Sequence, residues 1–484
     1  MTRIDEDTKL VGCYVKVSPQ TEESMRLIKY LIIALILAAM ALPTLAGQPK
    51  ARLPLSAYMK SAKIALLNVP PRHSEAMVLL DSVLYYYGQV PEAYFLRGNI
   101  FAEYAAKEYD YGKKVELFAK MSANYDSMTV ACSNNDIKAN LKSDCKKSAA
   151  LMDSIKVLYW RENYNSGVKA IERMDNELTP KIKSSTDSTE IAAANEELKA
   201  AADSGKVFFA VAAAIDPGKY RSYEGEGLVF DRMKQYDSSL YYFRKASELV
   251  PDSTYLIQNI AYGYIQLNDW DNAITYFNKY LQKFPNDANI LFNIAISYSN
   301  KKNLDSAHIY DLKAIAADST FGGAYVDVGQ YFLIRSQDIS DSIKYYKQAE
   351  KNADADRVLK MRDALLDSSA AYFATGLKYE PDNVTILEQY GVVLLVLGRY
   401  EGSIDIFTKL TELEPFRKDH WINLGDIYVQ QQKFADAIGP FEKAIEIDPG
   451  DAKLWEVLKD LYTSNNMPDK AKKAEEKIAE LNKP

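Results

Sequence analysis

The chain is poor in the residues that most often carry chemistry. It has three cysteines, Cys13, Cys132 and Cys145, and three histidines, His73, His308 and His420, each standing alone. No H-E-x-x-H, C-x-x-C, G-x4-G-K-[ST] or G-x-S-x-G occurs, so several common hydrolase, redox and phosphate-binding chemistries lack their local residue sets. Gly218-Lys219 lacks the upstream glycine of a phosphate loop, and Gly225-Glu226-Gly227 follows no strand pattern. Asp269-Trp270-Asp271-Asn272 starts like a calcium loop but has neither the central glycine nor the closing glutamate. The expectation is no catalysis, no cofactor and no metal. Base is not in excess either: 59 Lys and Arg face 66 Asp and Glu, a net charge of −7. That argues against wrapping nucleic acid, which needs a basic stripe to displace counterions.

A long apolar run is missing too. Tyr30 to Leu42 is thirteen residues, short of the ~20 that a spanning helix needs. It follows the basic Met25-Arg26-Leu27-Ile28-Lys29 and ends in Pro43-Thr44-Leu45-Ala46-Gly47. This pattern predicts a secretory signal cut between Ala46 and Gly47, with an uncleaved membrane anchor as the alternative. Met25 is the expected natural start. Leu10-Val11-Gly12-Cys13 looks like a lipidation tetrapeptide, but no apolar stretch precedes it. Cleavage would leave Cys132 and Cys145 in an oxidising compartment. An even count there predicts one disulfide; two reduced thiols are the alternative.

What the chain does have is a period. Apolar residues make up 48% of it and aromatics 12%, with 35 tyrosines, enough for a sizeable core. Pro217, Pro251 and Pro285 are 34 residues apart, and so are Pro381, Pro415 and Pro449. Asp237, Asp271 and Asp305 keep the interval, as do Phe373, Phe407 and Phe441. Within Lys418–Asp451, Trp421, Leu424, Gly425 and Tyr428 fall at helical spacings on one face, and Ala437, Phe441 and Ala444 on another. Two helices that bury these stripes against each other, closed by Pro449, make the unit. The recurring aspartates fall where the second helix begins, which predicts N-caps.

This 34-residue unit resembles the tetratricopeptide repeat family, whose signature is W-x2-L-G-x2-Y followed by a small Ala, an aromatic, an Ala and a Pro. Trp421, Leu424, Gly425, Tyr428, Ala437, Phe441, Ala444 and Pro449 match it throughout. The resemblance implies an all-α solenoid, a right-handed superhelix of stacked helix-turn-helix repeats, with first helices lining the concave side. The predicted organisation is a signal segment at 1–46 and a degenerate repeat-like region at 47–219, with an insertion near 127–200. An array follows at 220–355, an irregular or truncated repeat at 356–383, a further array at 384–451 and a capping repeat at 452–484. The truncated unit is inferred because Pro285 to Pro381 is 96 residues, six short of three periods. The unit starting at Gly322 keeps Gly329 and then, after one inserted residue, Ser342, Tyr346 and Ala349.

The predicted groove residues lie on first helices, off the packing stripe: Tyr255, Gln258, Tyr262, Gln266, Asn289, Phe292, Ile296 and Asn300. They are neutral amides and large apolar groups, and farther along the lining turns aliphatic with acids. Some relatives in the family hold a peptide's terminal carboxylates with a Lys/Asn/Arg clamp; here no lysine enters this set before Lys453. The expected function is therefore a non-catalytic scaffold in the bacterial cell envelope, exported to the periplasm, that binds a protein partner. The membrane enters only through the signal segment or the partner. The alternatives are an enzyme or subunit with a site in the divergent 57–200 region, and a scaffold that stays membrane-anchored by an uncleaved signal.

Overall fold

The computed structural model describes residues 53–142 and 144–482. The signal segment, with Ala46 and Gly47, lies outside the described residues. All regular elements are helices, and no strand occurs among the described residues. The chain divides into two compact units: one takes in the described residues up to Lys107 with Lys120–Asp153, the other Glu108–Ala119 and everything from Ser154 on. This boundary differs from the expected one near residue 219.

In the first unit, α1 (Leu55–Leu67), α2 (His73–Tyr87) and α3 (Pro91–Lys107) share a core of Ala62, Ala76, Leu80, Val83 and Ala93. Cys132, near the end of α4 (Tyr111–Ser133), is bonded to Cys145, which opens α5 (Cys145–Arg173). Their Cα atoms are 6.0 Å apart, an ordinary span for a disulfide.

The second unit continues through α6 (Thr179–Ser184) and α7 (Ser188–Ile215) into regular pairs: α8 (Tyr220–Arg232) with α9 (Tyr236–Leu249), α10 (Thr254–Gln266) with α11 (Trp270–Leu281), and α12 (Ala288–Asn300) with α13 (Leu304–Ala317). Phe243, Phe277, Phe407 and Phe441, each no more than 2% exposed, fill the middle of their pairs. Burying such a ring is worth about 2–3 kcal/mol. Outside the Gly322 repeat, the turn after each first helix of the array holds a residue with left-handed backbone: Lys234, Asn268, Lys302, Gly398, Gln432 and Asn466 have φ between 55° and 70°. They recur at the repeat interval, and the left-handed residue lets the chain reverse into the second helix.

The aspartates expected to cap second helices do not do so. Asp269 and Asn303 accept from the first-turn N–H groups of α11 and α13. Asp271 and Asp305 lie one or two residues inside the helix and reach the next repeat instead, pairing with Lys301 and Arg335. Glu401 pairs likewise with Lys433 at 3.2 Å. A carboxylate in the first turn also suits the helix dipole, so the residue type recurs without being a cap.

The stretch expected to hold a truncated repeat is built differently. α14 (Gly322–Asp338) is followed by a short α15 (Ser340–Gln348) and one long α16 (Asn352–Tyr379). The helix that closes the Gly322 repeat is α16, not α15. A Cβ on Gly329 would sit 2.6 Å from the Phe373 ring, and Ser369 Oγ donates to the Gly329 carbonyl at 2.8 Å. Ser403 makes the same bond to Gly391, also at 2.8 Å, between α17 (Val384–Val396) and α18 (Tyr400–Leu413). Ser342, Tyr346 and Ala349 therefore belong to an inserted segment. The arithmetic fits: 96 residues between Pro285 and Pro381 are two periods of 34 plus 28. A missing piece and an added one look alike when only the total spacing is known.

The array ends with α19 (Lys418–Gln430) and α20 (Phe434–Ile447), then α21 (Ala452–Ser464) and α22 (Pro468–Leu481). α20 continues through Pro440. In α22 only Ala474 is buried, so its outer face is polar, as a terminal repeat without a neighbour requires.

Candidate functional site

The predicted groove residues all lie on first helices. On α10 and α12, residues off the packing stripe face outward at spacings of three and four. Tyr255 (47% exposed), Gln266, Asn289 and Asn300 are open to solvent. Gln258, Tyr262, Phe292 and Ile296 are only half-exposed. The Tyr262 ring meets Phe277 edge-on at 5.5 Å, and its hydroxyl accepts from Asn293 Nδ2 at 3.2 Å and Gln258 Nε2 at 3.4 Å. Phe292 leans on Phe321 at 5.1 Å. These two rings thus also join repeats, and truncating both would loosen the array itself. Asn300 Nδ2 donates to Ile296 O in its own helix.

The signature residues form a packing set. Leu424, Gly425, Ala437, Phe441 and Ala444 are buried; Trp421 and Tyr428 are half-buried and Pro449 is exposed. Trp421 Nε1 donates to Pro415 O at 3.0 Å, and Trp455 Nε1 repeats the bond to Pro449 O at 3.0 Å. In these two repeats an indole ties the first helix to the loop before it.

Three buried or half-buried carboxylates were not singled out from the sequence. Asp311 is 2% exposed with Oδ1 unpartnered. Burial, then the nearby Asp327 carboxylate, push its pKa up to about 8. Asp327 itself is raised to about 6 by burial. Glu226, 5% exposed, is raised to about 7 by burial, although Tyr242 hydrogen-bonds to it and Lys245 is near. The repeat register held the signal. Asp311 is 34 residues after Phe277, where the neighbouring unit has its core ring, and Glu226 is 34 before Ile260.

The histidines are dispersed. His308 stacks on Tyr331 with centroids 4.0 Å apart, and burial lowers its pKa. His420 Nε2 lies 3.0 Å from Glu414 and 3.7 Å from Glu388. Among the described residues these three are the one group close enough to share a cation. Arg417 already donates to the same carboxylate oxygens, at 3.0 Å on Glu414 and 2.8 Å on Glu388, so the cluster is a knot of ion pairs. In the first unit a cavity of about 230 Å³ is lined by Leu55, Met59, Val90, Pro91, Cys145 and Ser148 among others. No described helix is long and apolar enough to cross a membrane.

Comparison with known proteins adds the following. A family model described as Tetratricopeptide repeat matches residues 355–416 and 403–452, and another of that description matches 257–287. The chain is similar to DnaJ protein P58IPK homolog A of Oryza sativa subsp. japonica, 22% identical over 107 residues, spanning 22% of each chain. Among solved structures it is similar to YrrB, a TPR protein with an unusual peptide-binding site: 18% identity, 43% of this chain, 92% of that one, TM-score 0.33. It is also similar to a tetratricopeptide repeat protein from Parabacteroides merdae: 15% identity, 61% of this chain, 99% of that one, TM-score 0.35. A third likeness is to the C-terminal part of a TPR repeat-containing protein from Cytophaga hutchinsonii: 17% identity, 53% of this chain, 94% of that one, TM-score 0.40.

Proposed function

We propose, from the premise that this chain is a tetratricopeptide-repeat protein, that it works as a non-catalytic scaffold holding a protein segment across its first helices. One observation carries the reading. Adjacent repeats leave Tyr255, Gln266, Asn289 and Asn300 exposed on first helices, a row of neutral polar and aromatic groups on rigid supports. Such groups anchor a partner at low entropic cost. Because Tyr262 and Phe292 also hold repeats together, the test uses the exposed pair. Tyr255→Ala with Asn289→Ala is expected to lower the amount of partner captured by the full chain from its own cell envelope, with an unchanged melting curve. Capture at wild-type level would overturn the reading.

We further propose that the protein is exported, on the strength of the basic flank, the apolar run and the small residues before Gly47. N-terminal sequencing of envelope material is expected to begin at Gly47. A retained Met1 or Met25 would refute cleavage.

A further inference from the structure

We infer that the first-helix face running from α14 to α21 takes a protein segment that is apolar at one end and cationic at the other. The inference rests on the reading that first helices carry the partner-facing surface, and it names the chemistry that this part of the surface would recognise.

The face changes character along the array. On α14 and α17, Ile334 is 36% exposed, Val392 43% and Val396 49%. Val392 and Val396 are one turn apart on the same side of α17. On α19 and α21 the residues 34 and 68 positions after Val392 are Asp426 and Asp460, both exposed. Asp419 and Glu456 add two further carboxylates on these helices, against Lys453. An occupant lying across successive first helices therefore meets aliphatic surface first and carboxylates next.

These carboxylates differ from the acids that link one repeat to the next. Asp271, Asp305, Glu401 and Glu442 each pair with a base of the following repeat. Asp448 pairs with Lys418 at 2.5 Å. Asp426 has no hydrogen bond or ion pair with any described residue, yet its surroundings bury it enough to raise its pKa. A partly desolvated carboxylate without a counter-charge is unfavourable, and a Lys or Arg from outside would relieve it. Among the described residues, Asp460 pairs with Lys459 alone, at 3.8 Å. The apolar side chains alone would accept many partners; the unpaired Asp426 and the weakly paired Asp460 select a basic one.

The probe is a ten-residue synthetic peptide with Leu, Val and Ala in its first half and Lys and Arg in its second, titrated into the full chain. A control peptide has Glu and Asp in place of the bases. The basic peptide is expected to bind at least about tenfold tighter than the acidic one, and to lose roughly tenfold in affinity between ~0.05 and ~0.5 M salt as screening shortens. Asp426→Asn with Asp460→Asn is expected to weaken it about tenfold, and Val392→Ser with Val396→Ser several-fold. All four sites are exposed, and unchanged melting curves would show that the folds are intact. Equal affinity for the two peptides, no binding at ~1 mM, or indifference to both pairs of substitutions would overturn the inference. Those results would leave the scaffold reading standing if Tyr255→Ala with Asn289→Ala still lowered capture of the natural partner.

Discussion

Gly425→Leu is expected to unfold the C-terminal repeats locally, at a loss of about 3 kcal/mol or more. A Cβ added at this position would stand 2.7 Å from the Phe441 ring, with two more ring atoms within 2.9 Å. Phe441 is 1% exposed and lies among Ala437, Ala444, Leu454 and Leu458, so it has nowhere to retreat. Leucine would force α19 and α20 apart. Ala437→Phe attacks the same crossing from the other helix, since Ala437 is 0% exposed. In a stack of repeats stability is close to a nearest-neighbour sum. Hydrogen exchange should therefore rise steeply over Lys418–Leu481, and little over residues 53–107. A uniform rise along the whole chain would show that the repeats are not separable in this way.

The second large effect has the opposite sign. Asp311→Leu is expected to stabilise the array, by roughly 3 kcal/mol at pH 8 and above. Asp311 occupies a core position in which it is 2% exposed, and the carboxylate of Asp327 is near it. Its pKa is about 8 in the folded chain against 3.8 for a free carboxyl. Between those values the folded state holds a proton that the unfolded state has lost, so stability falls as pH rises from ~4 to ~8. Glu226 and Asp327, also raised, slope the same way. Chemical denaturation at pH 5, 7 and 9 should show wild-type stability declining, and a shallower decline in Asp311→Leu. Asp311→Asn should flatten the pH dependence with a smaller gain, because the amide still has to be buried. Identical pH slopes in wild type and both variants would show that Asp311 is ionised or solvated.

Both predictions use columns that the sequence displays, but they were not equally visible. Gly425 stands out because it matches a signature. Asp311 breaks one, and a search for matches passes over a mismatch; placing Phe277 and Asp311 side by side at the 34-residue interval would have exposed it. Exposure on the groove was less accessible still. Tyr262 and Phe292 look outward by helical spacing, yet Phe277 and Phe321 lie close enough to hold them, and those contacts come from outside their own helices.

The sequence by itself determined the helix-pair unit, its period, its core columns and the absence of H-E-x-x-H, C-x-x-C, G-x4-G-K-[ST] and G-x-S-x-G. Each of these depends on which residue types recur and at what spacing, and spacing within one unit is a local property. The tertiary structure alone decided which helix completes a unit. Spacing favoured the nearer Ser340–Gln348, whereas Phe373 fits the gap left by Gly329, so the chain passes over α15 and closes the repeat with α16. It alone decided what the recurring aspartates do, because Asp271 and Asp305 find their partners some thirty residues on, in the next repeat. It also placed a left-handed residue in the turn after six of the first helices, at Lys234, Asn268, Lys302, Gly398, Gln432 and Asn466. A backbone angle imposed by the packing of two helices leaves no single side chain for a sequence pattern to find.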